Sequence, residues 1–191
     1  PRRRAAAQGR TAARQPLHAW LGGGAGTLSP AVDGRSRVER PRDFDSDAQL
    51  VASVLSKKKA AGATHVVLDS PVGPTAKVRS AEAAATLSRR LKRVGAALGL
   101  EIAVHACDGR QPIGRGIGPT LEAHDVLRVL RNEPDAPSDL RERALDIAAK
   151  VLDFEPATSG ESGRHRAETL LESGAEWRKF EAICNAQGGL R

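Results

Sequence analysis

Aromatic side chains are almost missing from this chain: its 191 residues include no tyrosine, three phenylalanines and two tryptophans. A single-strand nucleic-acid binder stacks bases on such rings, so their scarcity weighs against that class. Long apolar runs are missing as well. None approaches the ~20 residues of a membrane helix, and the longest strongly apolar stretches, such as Val66-Val67-Leu68, are the size of a strand. Cysteine occurs twice, at Cys107 and Cys184, too few for a disulfide framework and in keeping with a reducing cytoplasm. Acidic residues are absent from 1–17, where five arginines supply most of the net charge of +7; the rest of the chain holds 25 basic and 23 acidic residues. The basicity therefore belongs to a tail. It reads as a disordered, solvated segment, with a nucleic-acid arm as the alternative. No apolar segment follows those arginines, which argues against a secretory leader. With 40% hydrophobic and 28% charged residues the composition is that of a soluble globular chain, long enough for one ordinary domain or slightly more.

Past the tail, Leu21 to Pro30 (LGGGAGTLSP) is rich in glycine but carries neither a GxGxxG fingerprint nor a closing Gly-Lys-Ser/Thr, so it reads as a plain loop. A helix is expected from Asp45 or Ser46, either of which can cap it, to about Gly62, with Leu50, Val51, Val54 and Leu55 as its apolar stripe. Thr64 to Asp69 has the β-branched, apolar character of a buried strand, and Ser70 to Ala76 is turn-rich. Ser80 then caps a helix through about Gly99, lined by Leu87, Leu91, Val94 and Leu98. Glu101 to Ala106 is a second strand, Cys107 to Gly118 a long loop, and Pro119 opens a helix to about Asn132 at the position that tolerates its missing donor. Helix, strand, helix, strand, helix is the order of βαβ units, so the expected fold class is α/β: a parallel-type sheet with flanking helices. The last third reads as helical. Ser138 caps Asp139 to Phe154, with Leu140, Ala144, Ile147 and Val151 on one face, and two helices follow over Arg164 to Glu172 and Ala175 to Ala186, divided by Gly174.

Chemistry concentrates on the first helix. Ser53 and Lys57 are four apart and emerge on one face. Asp45 lies about two turns before Ser53, two turns taking ~7.2 residues. A proton donor, a hydroxyl and a cation in one stripe could meet a planar ligand; the same three residues also fit a helix cap and a solvated face. Two loops follow the strand ends, where open α/β sheets place ligands. The first, Ser70 to Lys77, offers a glycine, a hydroxyl and a lysine; the second, Arg110 to Gly118, is punctuated by glycines and runs into a helix N-terminus. The five histidines show no metal-ligand spacing with one another or with the cysteines. No Gly-x-Ser-x-Gly elbow is present, which leaves a serine hydrolase without support.

The run Gln49 to Gly73 (QLVASVLSKKKAAGATHVVLDSPVG), its continuation Pro74 to Ser80 (PTAKVRS), the loop Gln111 to Leu121 (QPIGRGIGPTL) and the ending Ala186 to Gly189 (AQGG) resemble the thymidine phosphorylase family. The branch they most resemble holds archaeal AMP phosphorylases and bacterial proteins called putative thymidine phosphorylases. The likeness runs from near Leu21 to the last residue. Family proteins continue on both sides, so the resemblance implies an internal fragment; the absence of methionine fits one, and equally fits removal of an initiator before Pro1. It also implies a division into a basic tail (1–17), a linker with the base-binding helix of a small all-α domain (18–62) and part of the phosphorylase α/β domain (63–191).

The resemblance further implies phosphorolysis of an N-glycosidic bond, in which phosphate attacks the anomeric carbon while the base departs. Ser53 matches the family's base-contacting serine, Lys57 the lysine that donates to a pyrimidine carbonyl, and Lys77 a substrate-binding lysine of the AMP-cleaving branch. Asp45 matches the aspartate assigned as proton donor in that branch. The arginine to the base is Arg40 or Arg37, since the spacing before Asp45 varies between branches. The carbonyls of Ile113 and Gly116 and the carboxylate of Asp125 align with a potassium site of the pyrimidine enzymes. No other cofactor is implied; phosphate is the co-substrate, nucleoside or nucleotide the partner, and a homodimer or larger homo-oligomer the full-length state. One departure stands out. The family's Lys-x-Ser-Thr/Ser-Gly-Gly phosphate loop precedes the base-binding helix, and nothing in 1–45 reproduces it; Gly22 to Ser29 has no basic residue and no adjacent hydroxyl pair. Because positioning can supply up to ~7–11 kcal/mol of a barrier, the 191-residue chain is expected to be inactive alone. Two other readings stand beside this one. A phosphoribosyltransferase such as the anthranilate enzyme shares the architecture but needs a pyrophosphate loop also missing here. A non-catalytic scaffold whose arginine-rich tail binds nucleic acid would reveal itself by steeply salt-dependent DNA affinity.

Overall fold

A computed structural model describes residues 47–155 and 160–188. The expectations for the 1–17 tail, the 21–30 loop, Arg37, Arg40 and Asp45 lie outside the described residues. The elements run α1 (Asp47–Ala60), β1 (His65–Val72), α2 (Ala81–Ala97), β2 (Glu101–Asp108), α3 (Pro119–Leu130), α4 (Ser138–Leu152), α5 (Gly163–Glu172) and α6 (Ala175–Ala186). This is the α/β order expected. The Thr64 carbonyl accepts from the Glu101 amide at 2.8 Å and the Val72 carbonyl from the Gly109 amide at 2.9 Å, so β1 and β2 run parallel, joined by the helical crossover a parallel pair requires. The same bonds set the register: His65 stands beside Glu101, Asp69 beside His105 and Gly73 beside Gly109.

Both strands outrun the expected ends. Ser70-Pro71-Val72 looks like a turn, yet it completes β1, because Val72 accepts from Gly109 and forms a parallel bridge with Val78. Cys107 and Asp108, expected in a loop, complete β2. Pairing partners distant in sequence hold these residues extended against their local turn tendency.

The chain divides into two compact units. The first contains the described residues up to Val66, then Ala85–Ile102 and the described residues from Ala182. Val51 and Leu55 of α1 are buried, with Leu50 and Val54 half-buried, as the stripe predicts. On α2, Leu87 and Leu91 are buried but Val94 is exposed, as is Leu98 just past its end; the third buried position is Gly95. A Cβ on Gly95 would strike the side chain of Ile102, so β2 packs where the helix has no side chain and the buried stripe turns by one residue.

The second unit comprises Val67–Ala84 and the described residues of 103–181. Its core gathers Val129 of α3, Leu145 of α4, and Ala167 and Leu171 of α5, flanked by Leu130, Ala136, Leu140, Ala148 and Leu152. The inner face of α4 is therefore centred on Leu145 and Ala149, rather than on Ala144 and Val151, both of which are exposed. Ser138 does not cap this helix. Buried Pro137, at φ −61° and ψ 116°, is the N-cap, and no side chain caps there. Ser80 does cap α2, accepting from the Ala83 amide at 3.2 Å, and Ser162 caps α5 through the His165 amide. Helices α4 and α5 are also tied by Arg164, which donates to Glu142, Asp146 and Glu168 at 2.6, 2.7 and 2.6 Å; these carboxylates push its already high pKa higher. Asn132, at φ 54°, ends the α3 connection by donating to the Leu171 carbonyl at 2.6 Å. Among the described residues no helix is long and apolar enough to cross a membrane.

Candidate functional site

Ser53 and Lys57 sit one turn apart on α1, in the first unit, and both are half-buried, whereas Lys58 and Lys59 are exposed. Of the three consecutive lysines, Lys57 is thus the one drawn inward, on the side that also carries Ser53. The Lys57 carbonyl accepts from the Ala61 amide at 3.0 Å, so its backbone is held within the last turn. Asp45, the third member of the expected stripe, lies outside the described residues.

Lys77 belongs to the second unit, on the loop that leaves β1, and is exposed. That loop closes tightly: the Ala76 amide donates to the Gly73 carbonyl, and the Gly73 amide to the Val78 carbonyl, both at 3.0 Å. Gly73 is buried against the backbone after β2, where a Cβ would come within 2.9 Å of the Gly109 carbonyl carbon and 3.1 Å of the Arg110 nitrogen. Backbone cannot yield as a flexible side chain can. Gly73→Ala is expected to destabilise the fold by ~1–3 kcal/mol, the usual cost of overpacking, and a lowered midpoint in thermal or urea unfolding would show it.

The loop after β2 is organised by carboxylates. Asp108 accepts from the amide and guanidinium of Arg110, which holds its carboxyl down at about 2. Asp139 accepts from the Gly114 amide at 3.0 Å, and Arg115 donates to the Asp135 carbonyl at 2.8 Å. Asp125, on α3, is 6% exposed, and its Oδ2 accepts from the amides of Gly116 and Arg115, both at 2.7 Å. Those amides hold its carboxyl below the ordinary range, helped by nearby Arg128 and Arg115. Gly116 fits here because a Cβ would fall 2.5 Å from the Leu121 carbonyl carbon. Gly118 at φ 101° delivers the chain to Pro119, and its amide donates to Glu122 at 3.0 Å.

The sign of the Asp125 effect follows from linkage. A carboxyl lowered in the folded state stabilises the fold above its unfolded value of ~3.9, and that stabilisation is lost as pH falls through the lower folded value. Asp125→Asn is therefore expected to melt below the wild type near neutrality, with the gap closing in strong acid. Melting curves across pH check this.

A further group, not expected from sequence, assembles on the C-terminal half of the strand pair, in the second unit. Asp69 of β1 and His105 and Cys107 of β2 bring one ligand-type atom each within 4.8 Å of one another. The Cys107 thiol donates to Asp69 Oδ1 at 3.2 Å, and Arg143 of α4 pairs with Asp69 Oδ2 through Nε and Nη2. Burial and the Asp69 hydrogen bond push the Cys107 thiol up to about 11, so it is no ready nucleophile. His105-x-Cys107 is a same-face pair on a strand, but only the register with β1 shows that Asp69 joins it.

No protein-family model matches the chain. Curated relatives do. "Putative thymidine phosphorylase 1" of Acidovorax sp. (strain JS42) is 60% identical over 169 residues, which is 88% of this chain and 33% of the relative. "Putative thymidine phosphorylase" of Ralstonia nicotianae is 58% identical over 173 residues, 91% of this chain and 34% of the relative. The Legionella pneumophila protein of the same name is 56% identical over 169 residues, 88% of this chain and 33% of the relative. The chain thus spans about a third of the length of the curated relatives it matches. Along nearly its whole length, on an α/β framework with a parallel strand pair, the chain is thus similar to a stretch, about a third in length, of proteins named putative thymidine phosphorylase.

Proposed function

We propose that this chain is the base-recognising third of a nucleoside phosphorylase acting on thymidine: thymidine plus phosphate gives thymine and 2-deoxyribose 1-phosphate. The observation that carries this reading is the 55–60% identity to relatives named for that activity. The half-buried pair Ser53 and Lys57 supplies the chemistry. As a phosphate oxygen bonds to the anomeric carbon and the glycosidic bond breaks, electrons move onto the departing base. A hydroxyl and an ammonium aimed at the pyrimidine edge stabilise that charge. Lys77 belongs to the AMP reading below, where the nucleotide phosphate supplies an anionic group for it, and Arg40, with Arg37 as the alternative, completes the base contacts. On this reading α1 belongs to a small α domain over 18–62 and the rest to part of the α/β domain over 63–191, within a dimer or larger homo-oligomer.

A potassium ion fits the donor chemistry near Asp125. The carbonyls of Ile113 and Gly116 and a carboxylate are all oxygen donors, suited to such a cation, and Oδ2 of Asp125 is already engaged by two amides, which leaves Oδ1 for an ion. The ion would brace the 113–116 loop and take no direct part in bond breaking. A second reading, AMP phosphorolysis to adenine and ribose 1,5-bisphosphate, rests on Asp45 as proton donor.

Thymine binding by the 191-residue chain tests the proposal, since base recognition needs no phosphate loop. Ser53→Ala and Lys57→Ala should each weaken binding measured by calorimetry or chemical-shift titration. Against a neutral ground-state carbonyl the bond is at the weak end of the range, ~0.5–1.5 kcal/mol, so Lys57→Ala should cost roughly 2- to 10-fold. Lys58→Ala should bind like the wild type. Equal affinity in all four proteins would refute the assignment.

A further inference from the structure

We infer that Asp69, His105 and Cys107 form a transition-metal site of the zinc class on the C-terminal half of the parallel strand pair, a site with no part in the base chemistry above. Three observations converge on it. First, the ligand set is mixed. A carboxylate, an imidazole and a thiol together suit zinc or cobalt(II) better than a hard alkaline-earth cation, which takes oxygen alone. Second, the spacing is near that of a tetrahedral site. With Zn–S ~2.3 Å and Zn–N or Zn–O ~2.0–2.1 Å, neighbouring ligand atoms stand roughly 3.3–3.6 Å apart. Cys107 Sγ and Asp69 Oδ1 already lie 3.2 Å apart, and all three ligand atoms fall within 4.8 Å. His105 and Cys107 are half-buried and Asp69 is exposed, so the group is open to a cation arriving from solvent. Third, the carboxylate is oriented. Arg143 occupies Oδ2 through two nitrogens and leaves Oδ1 turned toward the sulfur. Outer partners of this kind fix the ligands of metal sites.

The cation takes the place of one proton. In the metal-free chain that proton lies on Cys107 Sγ and bridges to Asp69 Oδ1; when the ion binds, the S–H bond breaks, the proton leaves to solvent, and sulfur and oxygen each form a bond to the metal. Three protein ligands leave a fourth position for water. The ion would clamp β1 to β2, where only two strands are paired among the described residues.

Cobalt(II) and zinc titrations of the full 191-residue chain, in a Cys184→Ser background that removes the other thiol, test the site. One equivalent of cobalt should bring up a thiolate-to-cobalt charge-transfer band with the visible spectrum of a tetrahedral ion, and zinc should displace it. Cys107→Ser should abolish the band. His105→Gln should weaken zinc by at least about 10-fold, the lower end of what loss of even an outer partner costs, while its circular dichroism matches the parent. Absence of the band in the folded parent, its survival in Cys107→Ser, or unchanged zinc affinity in His105→Gln would overturn the inference.

Discussion

Lys57→Ala should lower kcat for thymidine phosphorolysis by on the order of 10²–10³-fold while KM changes much less, when the matched region of this chain replaces its counterpart in the full-length Acidovorax relative. The magnitude is that of removing one preorganised donor from developing negative charge. The split between kcat and KM follows from timing. A ground-state carbonyl accepts only a weak bond from an ammonium, but the bond strengthens as electrons reach the base, and contacts made mainly in the transition state appear in kcat. Lys57 is half-buried where Lys58 and Lys59 are exposed, so Lys58→Ala and Lys59→Ala are internal controls and should stay near the parent rate. A rise in KM alone would make Lys57 a uniform binding contact.

Asp45→Asn in the same chimera should separate the two substrates. Thymine leaves as a fairly stable anion and can be carried by Ser53, Lys57 and an arginine. Adenine is a poorer anion and gains from a proton on its ring. An aspartate near its ordinary ~3.9 is a poor acid at neutrality, so the role requires a surrounding that raises it. Proton transfer from a placed side chain contributes typically 10²–10⁴-fold, and AMP cleavage should fall by that much while thymidine cleavage stays close to the parent. If Asp45 only caps the helix, a role worth ~1 kcal/mol, both activities should fall alike and the melting temperature with them. Initial rates on both substrates, beside thermal melts, decide between these outcomes.

The parts of this fold that were legible in the sequence are those decided locally. Ser80 stands where a cap is needed and does cap α2; Pro119 opens α3 behind Gly118; Gly174 at φ 69° divides α5 from α6. Where distant partners decide, local reading went astray. Ser70-Pro71-Val72 has the composition of a turn, but its extension depends on Gly109 and Val78, which no local pattern announces. The α4 stripe was displaced for a similar reason: Leu140, Ala144, Ile147 and Val151 have helical spacing, but α5 and Val129 select the face around Leu145. The two candidate residue groups divide along the same line. Ser53 and Lys57 are four apart on one helix and can be read from spacing. Asp69 and Cys107 are hydrogen-bonded across 38 positions, and only strand register brings Asp69 beside His105. Asp125 is intermediate in kind: the resemblance aligns it with a cation ligand, and the two backbone amides on its Oδ2 are seen only in the structure.

The phosphate dependence of thymine release by the chimera separates phosphorolysis from hydrolysis. Thymidine is supplied with and without inorganic phosphate, and both the free base and the pentose product are quantified. Release should require phosphate, with one 2-deoxyribose 1-phosphate formed per thymine. Release that proceeds equally without phosphate and yields free deoxyribose, or no release from a folded chimera whose unmodified parent is active, would contradict the proposed activity.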